Sequence, residues 1–324
     1  MALRLSRRVV VGGMVAGVAA TTAPIGASAQ QPFTGRTVRL IVEYPSGSGP
    51  DIVGRLVAIR LSQVLGGTFY VESRAGASGR IAAQAVASSP ADGSTLLLMT
   101  ATQTIIAATD REIRYDLLKD FAFVSMLVEY PFFIFVSAKS PYKTFDNLLG
   151  AARRNPGKIT YSSAGIGSTM HLAMEVMLKS AGAMMVHVPG GSQQITDVQN
   201  QEIDCGIVSL GAISELVRAD YLRALAVTSA ARDPLAPTVP TIAESGVPAY
   251  AVSTWLALAA PAKTSRDLVD RLQDALKTIM AEPEIRERVA LMGFSAVTNG
   301  PEQMRERVAA DMSKWQPFGA VLQR

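Results

Sequence analysis

Four segments rich in glycine, serine and proline are the part of this sequence best suited to hold a ligand. Each stands where an apolar run ends and an amphipathic run begins: residues 45–51 (PSGSGPD), 76–79 (GASG), 164–169 (AGIGST) and 189–192 (PGGS). Glycine lets the backbone come close to a bound molecule, and the first N–H groups of a helix have no intrahelical partner. Because the helix dipole adds partial positive charge there, each junction is a candidate anion site. The fourth junction contributes Gly190, Gly191 and Ser192.

Four residues near these junctions have interpretations that the sequence leaves open. Asp51 either caps the helix that begins beside it or hydrogen-bonds a ligand amine or a water. His171, in the first turn of the helix after the third junction, either packs inside the protein or donates to a ligand. His187 ends a strand just before the fourth junction, where packing is the simpler interpretation. Tyr44 is a core or hinge aromatic, or else part of the ligand site.

No arrangement of residues indicates catalysis, a metal or a cofactor. There are two histidines and one cysteine in 324 residues, which argues against a multi-histidine metal centre and excludes an intramolecular disulfide. Neither a G-K-[ST] phosphate loop nor a G-x-S-x-G elbow occurs. The glycines near residue 48 resemble a dinucleotide fingerprint, but Ile52 occupies the third glycine position and Pro50 removes a donor. An exported hydrolase using Ser168 or Ser192 with either histidine remains an alternative.

Residues 1–29 predict an export signal. Arg4, Arg7 and Arg8 precede an apolar run at 9–20, and an A-x-A site ends at Ala29, so cleavage is expected between Ala29 and Gln30. The paired arginines are similar to a twin-arginine signal, although the general export route stays open. We therefore expect a periplasmic protein.

The net charge argues against nucleic-acid binding. The whole chain carries a formal charge of +4, but removal of the leader would leave 28 basic against 27 acidic residues. A nucleic-acid partner would need an excess of basic residues on one face. Lone Cys205 lies in an apolar run and is expected to be a buried core residue.

Short apolar runs alternate with amphipathic stretches, which is typical of an α/β protein. The predicted strands are 38–44, 68–72, 95–100, 132–136, 158–162, 185–188, 204–208 and 223–227. The predicted helices are 51–65, 80–88, 145–154, 170–181, 192–199, 212–218, 265–281, 283–292 and 301–315. This pattern favours two α/β units with largely parallel strands and a ligand cleft between them.

The order of the sequence motifs resembles the substrate-binding receptors of tripartite tricarboxylate transporters, the Bug receptors. The matching segments, which span residues 36–315, are 44–51, 71–79 (VESRAGASG), 90–97 (PADGSTLL), 115–121 (YDLLKDF), 156–165 (PGKITYSSAG), 171–175 (HLAME), 187–189 (HVP), 222–228 (LRALAVT) and 239–246 (VPTIAESG). The resemblance implies a two-lobed periplasmic binding protein type II fold with hinge strands between the lobes. We expect lobe I at 33–130 plus 254–324 and lobe II at 131–253.

The resemblance also implies a function and a set of contacts. It indicates a non-enzymatic receptor, working as a monomer, that captures a small carboxylate for membrane permease subunits or a sensor kinase. A sensory or scaffolding protein without a transported ligand is the alternative. The cleft contacts that it implies are Ser46, Gly47, Asp51, Ala77, Ser78, Thr100, Thr102, Gly167, Ser168 and His171.

Three departures from the family pattern bear on specificity. A stretch similar to Tyr-Lys-Gly is replaced by residues 190–192, the usual Asn-Pro after the third strand by 102–106 (TQTII), and Asn-Arg-Pro-Gly by 73–76 (SRAG). We therefore expect a wider or less cationic pocket and an unusual ligand.

Overall fold

The structure, a computed structural model, describes residues 33–321, with side chains to residue 319. The predicted export signal and its cleavage site lie outside the described residues. The first part of the chain forms, in order, β1 (Thr37–Val42), α1 (Gly49–Leu65), β2 (Thr68–Ser73), α2 (Arg80–Ala87), β3 (Thr95–Thr100), α3 (Thr102–Thr109) and β4 (Phe121–Pro131). The middle part forms β5 (Phe133–Ser137), α4 (Phe145–Arg154), β6 (Thr160–Ser163), α5 (Thr169–Ala181), β7 (Val186–Pro189), α6 (Gln194–Gln199), β8 (Cys205–Val208), α7 (Leu210–Arg218) and β9 (Leu222–Val227). The last part forms β10 (Ser253–Pro261), α8 (Arg266–Ala281), α9 (Pro283–Leu291), β11 (Ser295–Ala296) and α10 (Pro301–Trp315).

Two mixed sheets organise the fold. The first has the order β11-β4-β10-β3-β1-β2, and the second has the order β7-β6-β8-β5-β9. β1 pairs in parallel with β2 and β3, and β6 pairs in parallel with β7 and β8, as the alternation of strands and helices predicts. The strands β4, β10 and β5 are antiparallel to their neighbours. The observed class is therefore α/β, with the parallel strands confined to part of each sheet.

The chain crosses between the sheets twice. β4 of the first sheet is followed after one residue, Phe132, by β5 of the second, and residues 228–252 lead from β9 back to β10. The C-terminal helices return to the first sheet, where Trp255 of β10 donates from Nε1 to Asp311 of α10 at 2.7 Å. Met304 and Val308 of α10 are fully buried in the same cluster as Trp255. Because the chain passes from one sheet to the other at these two places, we propose lobe boundaries after residues 130 and 253.

The structure corrects one prediction and adds three strands. The segment 102–106 was expected to be a loop, but it forms the first part of α3, because Ile105 and Ile106 are buried in the core. β4, β10 and the two-residue β11 were not predicted. β4 runs into β5, and β10 follows β9, without an intervening helix, so these two strands fall outside the alternation of strands and helices. Most other predicted elements begin and end within two residues of the observed bounds.

Helix α7, which follows β8 of the second sheet, packs against the segment between α9 and β11, and each side of the contact has a glycine, Gly211 and Gly293. A Cβ placed on Gly211 would stand 2.6 Å from the carbonyl oxygen of Met292, and a Cβ on Gly293 would stand 2.9 Å from Cβ of Leu210. Both distances are shorter than side chains tolerate, so the two segments meet at this separation only because neither glycine has a side chain.

We expect Gly211→Ala to destabilise the protein by about 1–3 kcal/mol, since the new methyl group collides with backbone that cannot rotate away. Denaturant unfolding measures the loss. The matched control is Gly150→Ala, also inside a helix, where a Cβ meets only the flexible guanidinium of Arg154 at 3.3 Å. That variant should gain about 0.5–1 kcal/mol from lower backbone entropy in the unfolded chain. Equal effects of the two substitutions would contradict the close packing at Gly211.

Candidate functional site

The carboxyl ends of the parallel strands carry the predicted junctions, and the structure brings them together from both sheets. Thr102, at the start of α3, accepts or donates a 3.2 Å hydrogen bond with the hydroxyl of Tyr44. The same Thr102 hydroxyl lies 3.2 Å from the hydroxyl of Thr169, at the start of α5. A second link joins Ser78 to the carbonyl oxygen of Ile166 at 3.3 Å. The two lobes therefore touch through polar groups at the junctions themselves.

The third junction leads into α5, and the first residue of α5, Thr169, lies at this contact. Ser168 caps α5, and its hydroxyl accepts from the N–H of His171 at 3.2 Å and donates to the carbonyl oxygen of Gly165 at 2.8 Å. The cap leaves the N–H groups of Thr169 and Met170 without an intrahelical partner. Because the Thr169 hydroxyl faces Thr102 of the other lobe, the positive end of α5 points at the interlobe contact.

The second junction is held in an unusual backbone conformation. Ala77 and Ser78 are exposed and have positive φ values of 47° and 56°, in the left-handed region that disfavours residues with side chains. Such strain concentrates at ligand clamps and switch regions. Ser78 is the residue of this junction that reaches across to the other lobe.

In the first junction, residues 46 and 47 are exposed, whereas Asp51 is buried and hydrogen-bonded within the protein. Ser46 and Gly47 are exposed, and Gly47 has a φ of +84°. Asp51 is buried; it accepts from the N–H of Gly47 at 2.9 Å and from Arg55 at 2.9 and 3.0 Å. Burial alone would raise the pKa of the Asp51 carboxyl, but the bonds from Arg55 and Gly47 outweigh it and lower the pKa. Of the two interpretations of Asp51, the geometry favours the structural one.

The fourth junction is less open than the sequence suggests. The N–H of Gly190 already donates to the carbonyl oxygen of Ser163 at 3.2 Å, whereas Gly191 and Ser192 are exposed. A Cβ on Gly190 would stand 2.2 Å from the hydroxyl oxygen of Ser162. A large aromatic side chain therefore has no room at position 190, which gives the departure from the family pattern a structural basis.

Two neutral histidines, stacked on each other, hydrogen-bond to residues in and next to the third junction. The rings of His171 and His187 stack with centroids 4.0 Å apart and an interplanar angle of 17°. Nδ1 of His171 accepts from the N–H of Gly167 at 3.2 Å, and Nε2 of His187 bonds the hydroxyl of Ser163 at 2.7 Å. Burial lowers the pKa of each histidine to about 4, and for His187 the neighbouring His171 adds to the shift. Gly167 thus depends on an unprotonated His171.

Sequence reasoning placed Thr169 in the third junction without naming it as a contact, and it missed Glu43, a buried carboxyl that follows β1. Glu43 accepts hydrogen bonds from the N–H of Thr100 at 3.0 Å, from the Thr100 hydroxyl and from the side-chain amide of Gln103. Thr100, a predicted contact, is itself buried beneath the junctions. A charged residue at the end of an apolar strand was the available signal for Glu43.

Metal binding finds no support in the described part of the chain. Between residues 33 and 321, no group of three or more histidine, cysteine, aspartate or glutamate side chains could hold a metal ion. Cys205 is buried, and burial raises the pKa of its thiol. None of the helices between residues 33 and 321 has the length and apolar character needed to cross a membrane.

Acidification should destabilise the histidine pair. Both folded-state pKa values lie below the value of about 6.5 in an unfolded chain, so the unfolded state binds more protons between about pH 6.5 and pH 4. The free energy of unfolding therefore decreases as the pH is lowered through this range. The double variant His171→Asn, His187→Gln keeps polar atoms near the two bonded nitrogens but does not titrate. Its loss of unfolding free energy from pH 7 to pH 5 should be about 2 kcal/mol smaller than that of the native chain, after allowance for solvent screening. Equal losses in denaturant titrations would show that the rings are not buried neutral.

Relatives of the chain point to one family. A sequence model described as "Tripartite tricarboxylate transporter family receptor" matches residues 53–323. The chain is 32% identical to the UPF0065 protein of the tcbD-tcbE intergenic region of Pseudomonas sp. strain P51, over 96% of this chain and 93% of the relative. It is 29% identical to protein BugT of Bordetella pertussis, over 97% of this chain and 96% of BugT.

Solved structures share the fold. A protein of R. palustris solved with adipate is 31% identical, with a TM-score of 0.82 and coverage of 89% of this chain and 98% of that one. The periplasmic binding protein BugD is 26% identical, with a TM-score of 0.82 and coverage of 90% and 99%. These matches confirm the two-lobed periplasmic binding protein fold expected from the sequence. Because the family model spans most of the sequence and the relatives align along nearly their whole length, the chain belongs to the tripartite tricarboxylate transporter receptor family.

Proposed function

We propose that this receptor captures a small carboxylate in the cleft between its lobes. The observation that carries the proposal is the start of α5, where the free N–H groups of Thr169 and Met170 lie beside the interlobe contact with Thr102. A carboxylate accepts hydrogen bonds from such groups and is stabilised by the helix dipole. The related protein of R. palustris, 31% identical, was solved with adipate, which supports the same ligand class here.

The proposed contacts come from both lobes. From lobe I they are Tyr44, Ser46, Gly47, Ala77, Ser78 and Thr102. From lobe II they are Thr169, Gly191 and Ser192. The other predicted contacts are bonded within the protein and act by supporting these groups: Asp51, Thr100, Gly167, Ser168, His171 and Gly190.

Location and partners follow from the family. We propose that the leader at residues 1–29 directs the chain to the periplasm, where it works as a monomer. The closed, ligand-loaded form would then dock to membrane permease subunits or to a sensor kinase. Hinge closure around a ligand is the motion expected of two lobes joined by two crossings of the chain.

The hydrolase alternative gains little from the geometry. The hydroxyl of Ser168 is bonded to backbone groups of Gly165 and His171 rather than to an imidazole. A serine–histidine hydrogen bond does exist between Ser163 and His187, but Ser163 is fully buried, so a substrate would not reach its hydroxyl. The Ser168 hydroxyl and the Ser163–His187 pair therefore stabilise the loop before α5 rather than form a catalytic site.

Thermal unfolding against a panel of mono-, di- and tricarboxylates, aromatic acids and amino acids tests the ligand class. A ligand at 100 times its Kd stabilises a protein by about 2.7 kcal/mol, which corresponds to several degrees in Tm for a chain of this size. We expect a carboxylate to raise Tm with no product formed. A tight C4–C6 dicarboxylate would remove the expectation of an unusual ligand, and no shift across the panel would contradict carboxylate capture.

Gly167 offers a sharper test with a matched control. It has a φ of +78°, and a Cβ there would meet nothing within 4 Å, so Gly167→Asp and Gly167→Asn place similar side chains in the same open space. Asp and Asn both tolerate this backbone region, but Asp adds a negative charge beside the start of α5. We expect the Asp variant to bind the carboxylate at least about tenfold more weakly than the Asn variant, a difference of about 1.4 kcal/mol. Equal affinities in calorimetry would place the carboxylate elsewhere.

A further inference from the structure

The carboxyl of Glu43 lies beneath the lobe I half of the cleft and joins three of its segments. Glu43 stands between β1 and the first junction, and it is only 4% exposed. From the end of β3 and the start of α3 it receives bonds from Thr100 and Gln103. From the second junction, Gly79 comes so close that a Cβ there would stand 2.5 Å from Oε2 of Glu43. One buried group thus sets the spacing of the segments that carry Tyr44, Ser78 and Thr102.

No cation balances this carboxyl. Among residues 33–321, no lysine or arginine forms an ion pair with Glu43, and each of its hydrogen-bond donors is neutral. The titratable groups that face it are the phenols of Tyr44, Tyr115 and Tyr130. Beyond Tyr115, Arg80 and Asp110 pair with each other at 2.6 Å.

Without a cation beside it, the buried Glu43 carboxyl has a pKa close to neutral pH. Burial raises the pKa of Glu43 to about 7, because the bonds from Thr100 and Gln103 offset only part of the loss of hydration. The network accommodates both states. Protonated Glu43 can donate to the Thr100 hydroxyl, which then turns its own hydrogen away, while Gln103 continues to accept from Tyr115 at 2.6 Å.

We propose that Glu43 is a positioning residue of the binding site and that its carboxyl takes up a proton from solvent when an anionic ligand enters the cleft. The proposal rests on the proposed function, since it requires an anion between the lobes. An anion above the junctions places a second negative charge near a carboxyl that has no counter-ion, and like charges in a poorly solvated site favour protonation. The O–H bond formed on Glu43 is the only covalent change.

A defined pH dependence of affinity follows. Above about pH 7, where Glu43 of the free protein is ionised, affinity should fall as pH rises, by up to about tenfold per pH unit. Between about pH 6 and pH 9 the other groups near the cleft do not change charge. The pKa values of His171 and His187 lie near 4, that of Asp51 is lowered, and that of Tyr44 is raised above its usual value near 10.

Calorimetric titration with adipate, at concentrations high enough to saturate weak binding, tests the coupling between about pH 6 and pH 9. We expect the native chain to lose affinity across this range, and two buffers of different ionisation enthalpy to report proton uptake on binding. Glu43→Gln should bind with a nearly flat pH profile and more tightly than the native chain at the alkaline end. Gln103 can accommodate this variant by turning its amide so that it donates to Tyr115. The matched control is Glu72→Gln, a partly exposed carboxylate paired with Arg39 and Arg74, which should keep the native profile.

The possible failures separate the two proposals. If adipate binds but affinity and proton uptake show no pH dependence, or if Glu43→Gln keeps the native profile, the coupling is overturned and carboxylate capture stands. If adipate and the wider panel fail to bind at every pH, the proposed function fails and the coupling fails with it. Unfolding of the ligand-free protein then still reports on the carboxyl. Because the pKa of Glu43 is raised in the folded state, the native chain should lose stability relative to Glu43→Gln as pH rises from about 4.5 to 7.

Discussion

The site depends on one physical constraint: the first N–H groups of a helix need partners that the helix cannot supply. In α5 the Ser168 hydroxyl satisfies one of them and leaves those of Thr169 and Met170 without an intrahelical partner. The lobes meet at this place through hydroxyl groups, Thr102 against Thr169 and Tyr44 against Thr102. Backbone amides and hydroxyls are neutral, so the proposed carboxylate would be held there by partial charges rather than by a full positive charge.

Neutral groups of this kind bind well only when they are held in place. Polar side chains beneath the cleft, Glu43 in lobe I and the two histidines in lobe II, hold them by hydrogen bonds. In lobe II, His171 holds Gly167 while His187 holds Ser163. In lobe I, Glu43 holds Thr100 and Gln103 and lies against Gly79. Glu43 and His171 are buried and His187 is half-buried, and burial shifts their pKa values in the direction of the uncharged form. The receptor therefore has pH-sensitive groups behind its site rather than inside it.

Much of the fold follows from the sequence because local patterns and tertiary packing agree. Helix 145–154 has a strongly amphipathic pattern and a Thr144 cap, and its bounds match the prediction. α3 was missed because Thr102 and Thr104 are weak helix formers, and the burial of Ile105 and Ile106 overrides that preference. β10 was missed because it breaks the alternation of strands with helices, since no helix separates it from β9.

The candidate site can be derived from the sequence only as a set of loops, and which residues bind the ligand stays a prediction. The four glycine-rich junctions could be located because glycine marks close backbone approach, but which atoms remain free depends on contacts distant in sequence. Gly190 and Asp51 looked available and are bonded within the protein, and Glu43 looked like an ordinary strand end. A pairing such as Glu43 with Gln103 depends on how β1 and β3 are placed side by side, which no local pattern reveals.

Amide hydrogen exchange with and without a carboxylate that raises Tm tests the central claim most directly, because the claim concerns specific backbone N–H groups. The account predicts slower exchange in the bound protein at Thr169 and Met170, together with the segments 45–49, 76–80 and 101–103 of lobe I. Protection confined to one lobe, or to a surface away from the start of α5, would contradict capture of the ligand between the lobes.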